Sequence, residues 1–362
     1  MVDIGIIGLA KSGRTTVFNT LTKGTADTEG VASHTRIARV PEPRLKTLAD
    51  TLHPKRVVPA EVTYHDTGTS DKGLVKEKGI SGQLLGQLSN VDAIISVVRG
   101  FTDESVPHIE GSVDAERDIA TMDLELAFSD LAIIERRLQK IGISLKGAKQ
   151  LERQDLLREQ EMLTKMKADL EKDTPIRELK LTPGEAKTIA NYQFLSAKPL
   201  LIVVNIGEDQ LTRAASLEAE LNSHYSRPKC RIITLCGKLE MELAQLDNSA
   251  AESFRTEFGI SESGLDRTIK SSYELLGLIS FFTIASGEVK AWSIQSGANA
   301  LKAAGKIHSD MERGFIRAEV VSYDDLMKCG SVAEARQKGF LRRESKDYIV
   351  QDGDVITFLF NV

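Results

Sequence analysis

Ile4-Gly5-Ile6-Ile7-Gly8-Leu9-Ala10-Lys11-Ser12-Gly13-Arg14-Thr15-Thr16-Val17-Phe18-Asn19 decides how the rest of the chain is read. A short apolar run rich in β-branched side chains leads into a glycine-rich turn, and a helical stretch near Thr16 to Leu21 follows. Gly8 to Thr15 matches the phosphate-loop pattern G-x-x-x-x-G-K-S/T everywhere except at Arg14, where lysine is expected. The chemistry dictates those residue types. Glycines let successive backbone N–H groups turn toward a phosphate, and the helix N-terminus adds a favourable dipole. The basic residue reaches the β- and γ-phosphates, and the hydroxyl ligates Mg²⁺. Candidate nucleotide contacts are therefore Gly8, Lys11, Ser12, Gly13, Arg14, Thr15 and Thr16, with Thr15 also a metal ligand. Arginine is not a neutral exchange for lysine, because a wide planar guanidinium must enter a loop built around a compact ammonium.

Working outward, short apolar runs recur at Ala93 to Val98, Leu200 to Asn205 and Arg231 to Leu235. Continuous rather than alternating hydrophobicity predicts strands buried on both faces of a parallel sheet, hence a doubly wound α/β domain. The alternation of strand and helix stops between about Asp118 and Lys180. There Leu124, Phe128, Leu131, Ile134, Leu138 and Ile141 recur at helical spacing, and Leu156, Leu163, Met166 and Leu170 form a second stripe. Two amphipathic helices broken near Gly142 and Gly147 predict an antiparallel hairpin projecting from the α/β domain, with ordinary helices packed on the sheet as the alternative. Thr182-Pro183-Gly184-Glu185 reads as a capped helix start. From about Ile279 short alternating strands and turns predict a small α+β module ending in the strand Ile356 to Val362.

Composition narrows the function classes. The 362 residues suit two or three domains, and 41% hydrophobic with 27% charged residues is the balance of a folded protein. A net charge of -5 gives no global field toward nucleic acid, so any RNA contact needs a local basic patch. Cys230, Cys236 and Cys329 form neither a metal-binding pair nor a disulfide framework, which suits a reducing compartment. No leader-like segment opens the chain, and the uncharged run Leu275 to Gly287 is too short to span a bilayer. A cytoplasmic monomer without membrane attachment is expected.

Further stretches resemble the YchF (Obg-like ATPase) family of P-loop NTPases. Gly8-Leu9 through Asn19 is similar to the family's G-L-P-N-V-G-K-S-T-L-F-N. Val40-Pro41-Glu42-Pro43-Arg44-Leu45, Pro54 to Ala60 and His108-Ile109-Glu110-Gly111-Ser112-Val113-Asp114 resemble later family stretches. Ala285 to Trp292 and Ile307 to Val320 resemble its C-terminal module. The resemblance implies a G domain over residues 1–117 and 181–278, a helical coiled-coil arm over 118–180, and a ubiquitin-like TGS domain over 279–362.

It also implies site roles. Asn205-Ile206-Gly207-Glu208 stands where the family has N-x-x-E, making Asn205 the first and Glu208 the second candidate for a base contact. The longer Glu cannot reproduce the aspartate with which related GTPases read guanine, so ATP is expected, with GTP possible in its place. Cys236-Gly237-Lys238 lies at the family's S-A-K, adding Cys236 and Gly237 to the nucleotide contacts. Asp66 would hold the magnesium shell, although Gly68 falls one residue early for D-x-x-G and Thr69 replaces the glycine. Glu77, Lys78 and Ser81 thin the glycine-rich continuation, and Thr28 and Thr35 are both candidates for the remaining metal-binding threonine. Two functions follow from the resemblance. One is a ribosome-associated ATPase or GTPase with weak Mg²⁺-dependent hydrolysis. The other is a nucleotide-sensing or RNA- and ribosome-binding module without hydrolysis. Lys290, Trp292, Lys306, His308, Arg313 and Arg317 are candidate RNA contacts for either.

Overall fold

The computed structural model describes residues 2–22, 34–67, 82–257, 260 and 262–361. Gly68, Thr69, Glu77, Lys78, Ser81 and Thr28, singled out in the sequence, lie outside the described residues. The strands are β1 (Val2–Gly8), β2 (His34–Arg39), β3 (Arg56–Val58), β4 (Glu61–Asp66), β5 (Ala93–Arg99) and β6 (Leu200–Asn205), then β7 (Cys230–Leu235), β8 (Leu278–Ala285), β9 (Glu288–Gln295), β10 (Phe315–Ser322), β11 (Arg342–Glu344) and β12 (Asp354–Phe360). They form two six-stranded sheets, and the chain divides into two compact units, residues 1–38 with 63–268 and residues 39–62 with 269–362.

In the first unit the strand order is β2-β4-β1-β5-β6-β7. The pairs β1–β5, β5–β6 and β6–β7 are parallel, with Ile6 opposite Ile95 and Val203 opposite Ile233. Every residue of β5 and β6 is buried, the pattern of strands covered by helices on both faces. Ile7, Ile94, Val98, Ile202 and Val204 meet Ile119, Met122 and Leu126 of the helix Ala115–Ser144 in one core.

The inserted hairpin consists of that helix and a second, Gln150–Leu170. Asp114 caps the first by accepting from the Arg117 N–H at 3.0 Å. Ala127, Ile134 and Ile141 pack with Met162, Leu163, Met166 and Leu170 in a core of their own. Two details depart from the helical periodicity. The first helix runs on through Gly142 to Ser144, since an isolated glycine weakens a helix without ending it. Leu124 and Phe128 are exposed at 39% and 45%, because the first half of the helix turns Ile119, Met122 and Leu126 to the sheet. Thr182 and Glu185 close the reciprocal cap, with the Thr182 N–H donating to Glu185 Oε2 at 2.8 Å and the Glu185 N–H to Thr182 Oγ1 at 3.3 Å. Asp130, wholly buried, accepts from the N–H groups of Leu195 at 2.8 Å and Ser196 at 2.7 Å. Burial pushes its carboxyl up to about 6.

The second unit has strand order β11-β10-β12-β8-β9-β3. Its β8–β9, β10–β12 and β10–β11 pairs are antiparallel, whereas β8–β12 and β3–β9 are parallel. Phe281, Ile294, Val320, Ile356 and Phe358 pack against the alanine face of the helix Ala300–Ile307. Residues 39–62 fall in this unit rather than in the first, where the resemblance had implied them. The physical reason is pairing: Val57 lies opposite Val289, and the Arg44 guanidinium binds Asp352 at 2.8 Å. No helix among the described residues is long and apolar enough to cross a membrane.

Candidate nucleotide site

The loop after β1 occupies the position from which doubly wound sheets bind ligands, the carboxyl ends of parallel strands. Gly8 ends the strand against its neighbour. A Cβ there would stand 2.6 Å from the Val97 carbonyl oxygen, so only glycine fits. Lys11 and Gly13 both take positive φ, 63° and 84°, which turns the loop back on itself before the helix Arg14–Thr22 begins. The Ser12 N–H donates to the Leu9 carbonyl at 3.2 Å, and the Val17 N–H to that of Gly13 at 2.9 Å. Lys11 is exposed on the loop, and its left-handed backbone falls where the family sequence carries asparagine, a residue that tolerates it.

Asn205, at the end of β6, braces this loop. Its Nδ2 donates to the Ser12 carbonyl at 3.1 Å, and its Oδ1 accepts from the Gly237 N–H at 3.0 Å. One buried carboxamide thereby ties the turn after β1 to the turn after β7. A Cβ on Gly13 would overlap that carboxamide, so the glycine meets both a conformational and a steric demand. Gly237 sits tightly too, since a Cβ there would lie 3.1 Å from Asn205 Oδ1 and 3.3 Å from Thr16 Cγ2. Cys236 is buried beside it, and burial raises its thiol pKa. Glu208 pairs with Lys238 at 3.0 Å, two half-exposed or exposed side chains that close the outer rim of this corner.

Arg14 is the departure with a structural consequence. Its Nε lies 2.6 Å from Asp66 Oδ1, with only 8% and 1% of the two side chains exposed. The contact is a charge pair rather than an aligned hydrogen bond, because neither atom has a partner in hydrogen-bonding geometry. Thr15 Oγ1 donates to the other carboxylate oxygen at 3.2 Å. Burial lowers the Arg14 pKa, and the negative charge of Asp66 opposes that shift. Gly8, Lys11, Ser12, Gly13, Thr15, Thr16, Asn205, Cys236 and Gly237 therefore belong to one contiguous corner, while Arg14 is committed to Asp66.

Sequence reading missed a polar chain beside the corner. His65 Nε2 is 2.9 Å from Asp3 Oδ1, and His65 Nδ1 is 3.0 Å from Thr35 Oγ1. These residues line a cavity of about 400 Å³ with His34, Asp66 and Asn90. Thr35 thus spends its hydroxyl on His65. No local motif marks this chain, since it joins side chains from three strands. His108, in the family-like His-Ile-Glu-Gly stretch, is buried against Asp118 at 2.9 Å.

The likeness to known proteins is carried by the whole length. Ribosome-binding ATPase YchF of Bacillus subtilis (strain 168) is 39% identical over 365 residues, covering 99% of each chain. The chain belongs to the YchF family. Ribosome-binding ATPase YchF of Escherichia coli O157:H7 is 35% identical over 363 residues, again covering 99% of each. The family model YchF-GTPase_C, described as a protein of unknown function (DUF933), matches residues 278–361. Among solved structures, the Schizosaccharomyces pombe YchF GTPase superposes with a TM-score of 0.86 at 29% identity, covering 99% of this chain and 97% of that one. The YchF architecture therefore extends across both units, including the inserted hairpin.

Proposed function

We propose that this chain is a ribosome-associated, nucleotide-binding P-loop protein of the YchF type, with ATP preferred to GTP. The carrying observation is the braced loop: a strand, a turn with positive φ at Lys11 and Gly13, a helix, and Asn205 clamping the turn from β6. A glycine-containing turn that opens a helix is suited to phosphates. Gly8, Lys11, Ser12, Gly13, Thr15 and Thr16 take the phosphates. Cys236 and Gly237 flank the base, with Asn205 shaping the pocket and Glu208 at its rim. The relatives' name supports the ribosome as partner, and ribosome binding supports a cytoplasmic location. Residues 118–180 act as the arm and 279–362 as the TGS domain.

The Mg²⁺ expected at Thr15 and Asp66 is tested by the same geometry. Their donor types suit the metal, but Arg14 already neutralises Asp66, so the metal does not fit the pair as it stands. That observation favours the second reading, a nucleotide-sensing module without hydrolysis, over a weakly hydrolysing ATPase. Phosphoryl transfer depends on positioning and charge at the γ-phosphate, and here the Arg14 charge is already paired with Asp66.

In the C-terminal unit, Lys290 stacks over Trp292, whose indole N–H donates to Thr283, and Arg313 pairs with Asp310. Lys306 and Arg317 remain exposed and are the better RNA contacts of the six, since the His308 imidazole accepts from the Asp310 N–H at 3.2 Å. Co-sedimentation with ribosomes at low and high salt tests the partner. A phosphate-driven contact falls steeply with salt, and no co-sedimentation at low salt overturns it. Calorimetric titration with ATP and with GTP tests the nucleotide. Absence of heat with both removes the nucleotide reading.

A further inference from the structure

The residue that departs from the family pattern contacts the residue expected to hold the metal. Asp66 is 1% exposed, and both of its carboxylate oxygens are engaged, Oδ1 by the Arg14 guanidinium at 2.6 Å and Oδ2 by the Thr15 hydroxyl at 3.2 Å. A lysine at position 14 would carry a compact charge on a flexible stem able to reach past the loop toward phosphate. A guanidinium is planar, and this one has turned inward, where Asp66 compensates its burial. Magnesium is small, strongly hydrated and demanding of octahedral oxygen geometry. To use Asp66 and Thr15 it must displace Arg14 from a buried charge pair or lie against a like charge. Either course opposes binding.

We propose that Arg14 stands in for magnesium as the counter-charge of Asp66, so that this site takes its nucleoside di- or triphosphate without the metal. The inference rests on the nucleotide-binding reading above. Charge balance for the metal-free phosphates comes from the loop N–H groups, the helix N-terminus and exposed Lys11. A site of this kind holds nucleotide as a ligand rather than turning it over.

The experiment compares affinity for ATP and for ADP in excess Mg²⁺ and in EDTA, for the natural chain and for Arg14→Lys. Because excess Mg²⁺ holds nearly all free ATP as its metal complex, the natural chain is expected to bind ATP about tenfold or more weakly in Mg²⁺ than in EDTA, about 1.4 kcal/mol, whereas Arg14→Lys binds at least as tightly in Mg²⁺. A second readout replaces Mg²⁺ with Mn²⁺. The phosphate NMR signals of ATP bound to the natural chain are expected to stay sharp, and those of ATP bound to Arg14→Lys to broaden. Natural-chain affinity for ATP that is unchanged or higher in Mg²⁺ overturns the inference while leaving nucleotide binding intact. Binding by Arg14→Lys alone overturns it too, because Arg14 then closes the site instead of replacing the metal. No binding by either protein removes the nucleotide reading itself, and the inference with it. The comparison within the natural chain needs no variant to fold.

Discussion

Replacing Asn205 by alanine removes two hydrogen bonds that no neighbouring group can remake. Asn205 is 4% exposed and stands between the Gly237 N–H, at 3.0 Å, and the Ser12 carbonyl, at 3.1 Å. A buried backbone group left unpaired costs about 1–3 kcal/mol, so Asn205→Ala, which unpairs two, is expected to lose about 2–6 kcal/mol in total. Asn205→Asp is a sharper probe. It keeps an acceptor facing Gly237 but sets a carboxylate oxygen against the Ser12 carbonyl, adding acceptor–acceptor repulsion and a buried charge. The expected order of stability is therefore wild type, then Ala, then Asp. Urea titration followed by circular dichroism measures both variants, with an unchanged slope showing that the loss lies in the folded state. ATP affinity should fall with stability, because the same carboxamide holds the phosphate loop in shape. An alanine variant within about 0.5 kcal/mol of wild type, or an aspartate variant more stable than the alanine one, would refute the bracing argument.

Three other perturbations test separate parts of the molecule. Asp66→Ala strands the Arg14 charge in the interior and is expected to cost about 3–5 kcal/mol in urea titration, with most of that recovered in the Arg14→Met/Asp66→Ala double variant. For Asp130, raised by burial to about 6 in the fold, the folded chain binds a proton that the unfolded chain releases between that pH and about 4. Its contribution to stability therefore grows as pH falls through this window, by up to about 3 kcal/mol, and is lost as pH rises through 6. The stability difference between wild type and Asp130→Asn should change across the same window; a difference independent of pH contradicts the assignment. In the helical arm the Arg137 guanidinium grips Glu159 with two bonds, at 2.8 and 2.7 Å, and Tyr192 donates to the same carboxylate. A double-mutant cycle on Arg137 and Glu159 is expected to give about 1 kcal/mol of coupling, and a value near zero would show that the pair is solvated.

Much of the architecture was legible because its signals are local. The apolar runs at β5, β6 and β7 need burial on both faces; β5 and β6 are buried throughout and β7 from Ile232 to Leu235. Pro183 after Thr182 marks a helix start whose cap depends on a residue three positions away. The hairpin follows from a helical stripe that recurs on either side of a short break. Legibility fails where one helix serves two partners. Leu124 and Phe128 fit the apolar spacing yet face solvent, since spacing defines a stripe without saying where along the helix the stripe changes partner. The same holds for residues 39–62, whose strand partner is more than two hundred positions further along the chain.

For this protein the sequence alone determined the phosphate loop, the parallel sheet that carries it, the arm and the family. Each of these rests on patterns repeated within a few residues or across many stretches in order. Tertiary structure decided what the loop's unusual arginine does. Position 14 opens a helix and position 66 closes a strand, and nothing in either stretch states that their side chains meet. Strand order placed β4 beside β1, and burial made the charge at Arg14 require an opposite charge within reach. Asn205 was visible as a residue after a strand, but its two hydrogen bonds span 193 and 32 positions of chain and exist only once β6 lies between its neighbours.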